Sequence, residues 1–348
     1  LKSFLIFSAH QAMLNIQGGL DNDFGQVHLS WERLHPELNG VWTKTELPMT
    51  KGDIMRVSNL LEEKKGTPSL SFEFFRPKTE KAAQNFEKVI NTLSETGPDY
   101  VTVTFGAGGS TREGSFELID TLKHQYGFGV VAYIAGVGLG PDDLKTVLDR
   151  FVELGVETVF AIRGDEPQGD AAFQPHAKAM PHASDLISFI KKRYDFCLGV
   201  AGYPEGHLEA NNREKDVEFL KLKQDCGAEY VVAQFCYDNQ DFYDFVQLCR
   251  EKGVTVPILP GIMPIYSHNM LNNLANVCGA SIPEEVRQGL AAIPPEDKEA
   301  VIQFGIDYAT KQCQDLLQNG VQGLHFYTMN RAKSVDSIVR NLRQQDLL

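Results

Sequence analysis

At 348 residues with 43% hydrophobic content, the chain can bury a large core, as one big domain or two small ones. A formal net charge of −13 argues against nucleic acid or an anionic membrane surface as its main partner, and no stretch is apolar enough for long enough to span a bilayer. The six cysteines are widely spaced, with no CxxC and no Cys/His cluster at zinc spacing. They read as buried reduced thiols of a cytoplasmic protein, and no metal site is expected.

Residues 1–48 show no clean periodicity and carry both tryptophans, Trp31 and Trp42. The apolar run in Leu1–Phe7 is too short for a secretory signal. Met49 is a candidate original start; the preceding segment is either an appendage or an extension packed on the domain. From Ser69 onward the pattern becomes regular. Short apolar runs at Leu70–Phe75, Tyr100–Phe105, Gly129–Ile134, Thr158–Ile162, Leu198–Tyr203, Tyr230–Phe235, Val256–Ile262 and Leu324–Tyr327 read as fully buried parallel strands.

Helical stripes lie between them. Ala82, Phe86, Val89, Ile90 and Leu93 form one; Leu144, Val147, Leu148 and Phe151 form another, started by Pro141. Val217, Leu220 and Lys221 mark a third, and Phe242, Phe245, Val246 and Cys249 a fourth, with extra helix over about 283–318. Eight strands alternating with helices predict a (β/α)8 TIM barrel over residues 49–348, with 1–48 as an N-terminal extension. An open doubly wound sheet is the rival, but it predicts one crevice at a switch point. Here polar residues end most of the strands.

A barrel of this kind builds its site at the C-terminal ends of its strands. Those ends carry Glu73, Thr104, Arg163-Gly164-Asp165, Tyr203, Gln234 and Arg331. Glu73 stands out within Ser71-Phe72-Glu73-Phe74-Phe75. Strand alternation puts it on the face of Ser71 and Phe75, and burial raises the pKa of an unpartnered carboxyl, making it a candidate proton donor. Each residue alone has a plain reading: a solvated strand-end Glu, a helix-capping Asp, a buried amide. Together an acid, a second carboxylate, an amide and two guanidiniums suit a polar heterocycle. The loop Gly106–Thr111 could cradle a phosphate, although it lacks the GxGxxG spacing.

At these residues the chain resembles the methylenetetrahydrofolate reductase family. The matching stretches are Ser71–Phe75, Val103–Ala107, Arg163–Asp165, Ala183–Leu186, Tyr203–His207, Gln234-Phe235, Pro260–Pro264 and His325–Arg331, in family order over about 69–345. The resemblance implies a barrel that holds FAD and passes a hydride to 5,10-methylenetetrahydrofolate, giving 5-methyltetrahydrofolate, a step of one-carbon metabolism that feeds methionine biosynthesis. It implies Glu73 as general acid at N10 of the folate and Asp165 as an electrostatic partner between flavin and pterin. Gln234 and Thr104 would meet the pterin and Arg331 the folate tail. Thr104, Ala107, Tyr133, Arg163, Gly164, Asp165, His182, Ala183, Tyr203, His207, Asp216 and Lys223 would line the flavin.

The chain departs from the family in places. Tyr133 stands where a His is usual and His182 where a Tyr is common; Arg76 replaces a proline. Met270 and Leu274 stand where relatives can use Gln and an aromatic, and Leu274 cannot stack on a nicotinamide. The electron donor therefore stays open between NADH, NADPH and a partner subunit, and a homo-oligomer is compatible with the sequence. A non-catalytic folate- or flavin-binding subunit is the third reading. Retention of Glu73, Asp165 and Gln234 together speaks against it. No room is expected for a long C-terminal regulatory domain.

Overall fold

Every apolar run becomes part of one parallel sheet, and the periodic stretches between become helices. The computed structural model describes residues 55–77, 79–105, 112–164, 173–294 and 296–348. Segment 1–48, the loop 106–111, Ala107 and Asp165 lie outside the described residues. Helix α1 (Val57–Glu63) precedes β1 (Ser69–Phe74), α2 (Glu80–Glu95), β2 (Tyr100–Val103), α3 (Arg112–Asp120) and β3 (Val130–Ala135). Then come α4 (Pro141–Glu153), β4 (Thr158–Ile162), α5 (Ala183–Lys191), β5 (Cys197–Gly202) and α6 (Arg213–Asp225). Next are β6 (Tyr230–Ala233), α7 (Asn239–Glu251), β7 (Ile258–Leu259) and β8 (Gly261–Ile262). The chain continues through α8 (His268–Cys278), α9 (Glu284–Ala291), α10 (Lys298–Gln318), β9 (Gly323–Tyr327) and α11 (Ala332–Arg343).

Among the described residues nine strands run in the order β7-β6-β5-β4-β3-β2-β1-β9-β8, all pairs parallel. The run Val256–Ile262, predicted as one strand, is split at Pro260. Proline has no N–H for a ladder, but its carbonyl still accepts, here from His325 N at 3.1 Å. The half before it pairs with β6 (Val231 opposite Ile258); the half after it pairs with β9 (Gly261 opposite His325). One interrupted run thus joins the two sides of a nearly closed barrel. The open-sheet rival is gone.

Alternation sorts the strand residues. Phe72, Phe74 and Phe326 face the helices; Phe74 meets Phe86 of α2 edge-on at 5.7 Å between centroids, and Phe72 meets Phe326 at 6.1 Å. Burying the α2 stripe (Phe86, Val89, Ile90, Leu93) contributes about 1.5–3 kcal/mol per side chain. Thr79 caps the start of the helix, its Oγ1 accepting from Ala82 N at 3.2 Å.

The inward face is unusual for its tyrosines. Tyr100, Tyr133, Tyr230 and Tyr327 are all buried, and Tyr133 stacks on Phe160 at 4.5 Å. Rings this large need space from neighbouring strands. A Cβ on Gly199 would lie 2.3 Å from the Tyr230 ring, and one on Gly261 would lie 2.5 Å from the Tyr327 ring. These two glycines are therefore packing requirements.

Helix α1 closes the barrel floor, a role the sequence pattern did not announce. Val57 is fully buried, and its N–H donates to Thr158 Oγ1 at the start of β4. Ser58 Oγ donates to Glu229, just before β6, at 2.8 Å; Lys191 Nζ reaches the same carboxylate at 2.6 Å. Arg56 bonds Asp195 at 3.1 Å. Among the described residues no helix is long and apolar enough to cross a membrane, and no His/Cys/Asp/Glu group could hold a metal. All six cysteines are free, five of them buried.

Candidate active site

Glu73 comes from the C-terminal end of β1, opposite Thr102 of β2 and Tyr327 of β9, and is 5% exposed. Among the described residues its Oε2 has no hydrogen-bond partner, and His325 Nε2, 4.0 Å away, has none either. The other imidazole nitrogen, Nδ1, is 2.9 Å from Ser71 Oγ, which anchors the ring. Tyr133 of β3 brings a third unpartnered polar atom, its hydroxyl, into the electrostatic reach of the carboxyl. Burial raises the Glu73 pKa, and the contacts with His325 and Tyr133 only partly oppose that. The result is a carboxyl that holds its proton above the ordinary range, beside two groups with unspent hydrogen-bonding capacity.

A second cluster gathers at the ends of β4 and β5. Arg163 grips Glu209 in a bidentate pair at 2.6 and 3.2 Å. Glu209 N donates to His207 Nδ1 at 3.2 Å, and the His207 ring meets Tyr203 edge-on at 4.7 Å. His207 N in turn donates to Asp216 Oδ2 at 3.3 Å. Lys223, from α6, donates to the Ala201 carbonyl at 2.6 Å and sits 5.8 Å from the Tyr203 ring centre. Burial lowers the Lys223 pKa, with Asp216 pulling the other way; burial raises that of Asp216 and lowers that of His207. Gly164 has φ +78, and a Cβ there would come within 2.8 Å of Ala135, so the turn after Arg163 requires glycine.

Tyr327 stands opposite Glu73 in the β1–β9 ladder; burial raises its pKa, and so do the charges of Glu73, Cys278 and Tyr203. Its hydroxyl donates to the Ala233 carbonyl at 3.3 Å, next to Gln234. Gln234 is 5% exposed, and its Oε1 accepts from Phe235 N at 2.9 Å. Thr104 follows β2, with its N–H on the Phe74 carbonyl at 3.0 Å. Arg331 is exposed, its guanidinium 5.1 Å above the Tyr266 ring.

Glu73, Thr104, Arg163, Gly164, Tyr203 and Gln234 lie at or just past strand ends, Tyr133 within β3, His207 after β5, Asp216 and Lys223 on α6, and Arg331 at the start of α11. His182 and Ala183 open α5, and no hydrogen bond or ring contact joins them to either cluster; His182 is exposed. Met270 and Leu274 are buried, at 4% and 2% exposure. Sequence reasoning gave no role to Ser71, His325, Tyr327 or Glu209. Alternation in Gly323–Tyr327 was the available signal: it puts His325 and Tyr327 on the face that meets Ser71 and Glu73.

The family model for methylenetetrahydrofolate reductase matches residues 56–343. The maize protein methylenetetrahydrofolate reductase (NADH) 1 is 34% identical over 288 residues, covering 80% of this chain and 48% of its own length. Methylenetetrahydrofolate reductase 1 of Schizosaccharomyces pombe is 34% identical over 275 residues, 78% of this chain and 45% of its own. The chain thus spans about half the length of these relatives. The 5,10-methylenetetrahydrofolate reductase of Escherichia coli is 32% identical over 282 residues, 81% of this chain and 93% of its own. A Clostridium thermocellum protein that binds two copies of 5-methyl-5,6,7,8-tetrahydrofolic acid shares the fold, with a TM-score of 0.58 at 15% identity over 84% of this chain and 99% of its own. With the family model matching residues 56–343 and relatives 32–34% identical over about four fifths of the chain, this protein belongs to the methylenetetrahydrofolate reductase family.

Proposed function

We propose that this chain is an FAD-dependent reductase of 5,10-methylenetetrahydrofolate, producing 5-methyltetrahydrofolate, with residues 49–348 as its single catalytic domain and 1–48 as an extension. The observation that carries the reading is Glu73: a buried carboxyl with raised pKa, one oxygen of which has no partner among the described residues, set at the strand ends of a barrel of this family. An acid of that kind holds its proton to higher pH than an ordinary carboxyl and can give it up to a substrate nitrogen. Protonation of N10 opens the five-membered ring of the folate to the 5-iminium cation, the species that accepts hydride. His325 and Tyr133 then face the carboxylate left behind and limit the cost of its charge.

The second cluster fits a flavin dinucleotide by the chemistry of its groups. Tyr203 and His207 offer aromatic surface, Lys223 a cation for the diphosphate, and Arg163 a guanidinium prealigned by Glu209. Thr104, Ala107, Tyr133, Gly164, His182, Ala183 and Asp216 complete the proposed lining. When bound, FAD supplies the hydride. Asp165 is assigned the electrostatic support of the cationic folate, Gln234 a hydrogen bond to the pterin, and Arg331 the carboxylates of the folate tail. The proposed electron source is a reduced nicotinamide nucleotide.

An absorption spectrum of the purified protein tests the reading. Flavin bands that bleach on anaerobic addition of methyltetrahydrofolate are the expected result; a colourless protein, or flavin indifferent to the folate, overturns it. NADH or NADPH oxidation with menadione as acceptor is expected without any partner. Its absence would move the electron source to a second subunit.

A further inference from the structure

The chain leaves β9 through Thr328-Met329-Asn330-Arg331, where Met329 (φ 52) and Asn330 (φ 50) are both left-handed. One such non-glycine residue is a modest cost; two in succession must be held in place by their surroundings. The hydrogen bonds here show what holds them. Thr328 Oγ1 donates to the carbonyl of Glu73 at 2.6 Å, and Asn330 N donates back to Thr328 Oγ1 at 3.1 Å. The Asn330 side chain closes on Phe75 from both sides: Oδ1 accepts from Phe75 N at 3.2 Å, and Nδ2 donates to Phe75 O at 2.7 Å. From the far side, Tyr266 OH donates to the Thr328 carbonyl at 2.9 Å.

The β1–β9 ladder ends at the pair Glu73–Tyr327. Past that point a strand normally frays, and a side chain on the last rung wanders with it. Here a side-chain amide imitates the next rung, pairing both polar groups of Phe75. Only Asn or Gln carries a donor and an acceptor in that arrangement, and Asn is among the few L-residues at ease in the left-handed region. The geometry points to Thr328 and Asn330 as positioning residues that fix the backbone under Glu73 and aim its carboxyl at the substrate. The inference rests on the reading of Glu73 as proton donor. The same segment supplies His325, so β9 and its exit turn set both the neighbour and the aim of the acid. Among the described residues, the titratable groups facing the carboxyl are His325 and Tyr327 from β9 and Tyr133 from β3.

The test follows the carboxyl itself. In ligand-free protein, the protonated Glu73 stretch is assigned by infrared difference against Glu73→Gln and titrated with pH. Asn330→Ala, Thr328→Val and Asn330→Gly are then compared, the last keeping the turn comfortable while removing the amide. All three are expected to shift the carboxyl band and its midpoint. They should lower kcat for folate reduction by on the order of 10²-fold, with flavin reduction by nicotinamide nucleotide and folate KM within about threefold. Asn330→Asp, which retains the acceptor for Phe75 N, is expected to recover part of the loss; it is also the variant to use should the alanine protein fail to fold. Folded variants with an unmoved carboxyl band and wild-type folate reduction overturn the positioning role. Should the wild type reduce no folate, the proposed function fails, while the infrared titration still decides whether the turn aims Glu73.

Discussion

Two glutamates at opposite ends of the barrel show how one side chain is given two chemistries. Glu229 sits at the floor, where burial alone would raise its pKa, but bonds from Lys191 and Ser58 and the charges of Lys191 and Arg56 outweigh it and hold the carboxyl below its usual range. Glu73 sits at the mouth, where burial wins and the pKa rises. The difference is supply. The floor spends two cations and a hydroxyl on its carboxylate, whereas the mouth offers a histidine at 4.0 Å and a tyrosine that only partly oppose the effect of burial. Full satisfaction marks a structural carboxylate; a shortage of partners suits the proton transfer proposed for Glu73.

The largest expected effect comes from removing the proton at the mouth. Glu73→Gln should cut folate reduction by about 10²–10⁴-fold while nicotinamide–menadione turnover continues. Stopped-flow of the two half-reactions separates them, and equal loss in both would mean that Glu73 serves the fold or the flavin instead of the acid step. The matching change at the floor, Glu229→Gln, should leave turnover alone and cost about 1–2 kcal/mol of stability at neutral pH, since it strands Lys191 and Ser58 with a weaker acceptor. The pH signature has a definite sign. A folded pKa below the unfolded value of about 4.5 gives stability that is present above that value and fades as pH falls through the folded pKa, so the penalty should shrink in acid. Denaturant melts at several pH values measure it.

The same substitution at the mouth should move stability the other way. With its folded pKa raised above 4.5, Glu73 favours the fold most at low pH, and that contribution is lost as pH rises through the folded pKa. Glu73→Gln is therefore expected to gain about 1 kcal/mol on the wild type in alkali and nothing in acid. Parallel melts of the two Gln variants should diverge with pH; parallel curves would dissolve the contrast between floor and mouth.

How much of this was legible in the sequence follows the same division. Strand positions were readable because buried parallel strands are short apolar runs, and Glu73 was readable because a carboxylate among phenylalanines violates that pattern. The floor was not. Val57–Glu63 is a short helix with few apolar residues, and its value lies in contacts with Thr158, Cys197 and Glu229, more than a hundred residues away. The break at Pro260 was written in the chain, yet its consequence, two halves bonding different neighbours, depends on barrel closure. His325 escaped for the opposite reason: it reads as a buried histidine in an apolar strand, and only the register with Ser71 and Glu73 gives it a task.

Tyr133 is where the contrast can be sharpened most finely. The phenol opposes the burial that raises Glu73, and burial together with the Glu73 charge raises its own pKa well above the ordinary range, so it stays a neutral donor throughout the working pH. Tyr133→Phe removes one hydroxyl and nothing else from the ring that stacks on Phe160. The Glu73 pKa should rise further, shifting the alkaline limb of the folate-reduction profile to higher pH. The rate below that limb should change by about two- to tenfold, the worth of a single hydrogen bond. A profile of kcat/KM against pH for wild type, Tyr133→Phe and Tyr133→His reads the shift directly. Movement of the limb to lower pH would show that the phenol stabilises the protonated carboxyl instead, and the mouth would then resemble the floor in having a partner for the state it keeps.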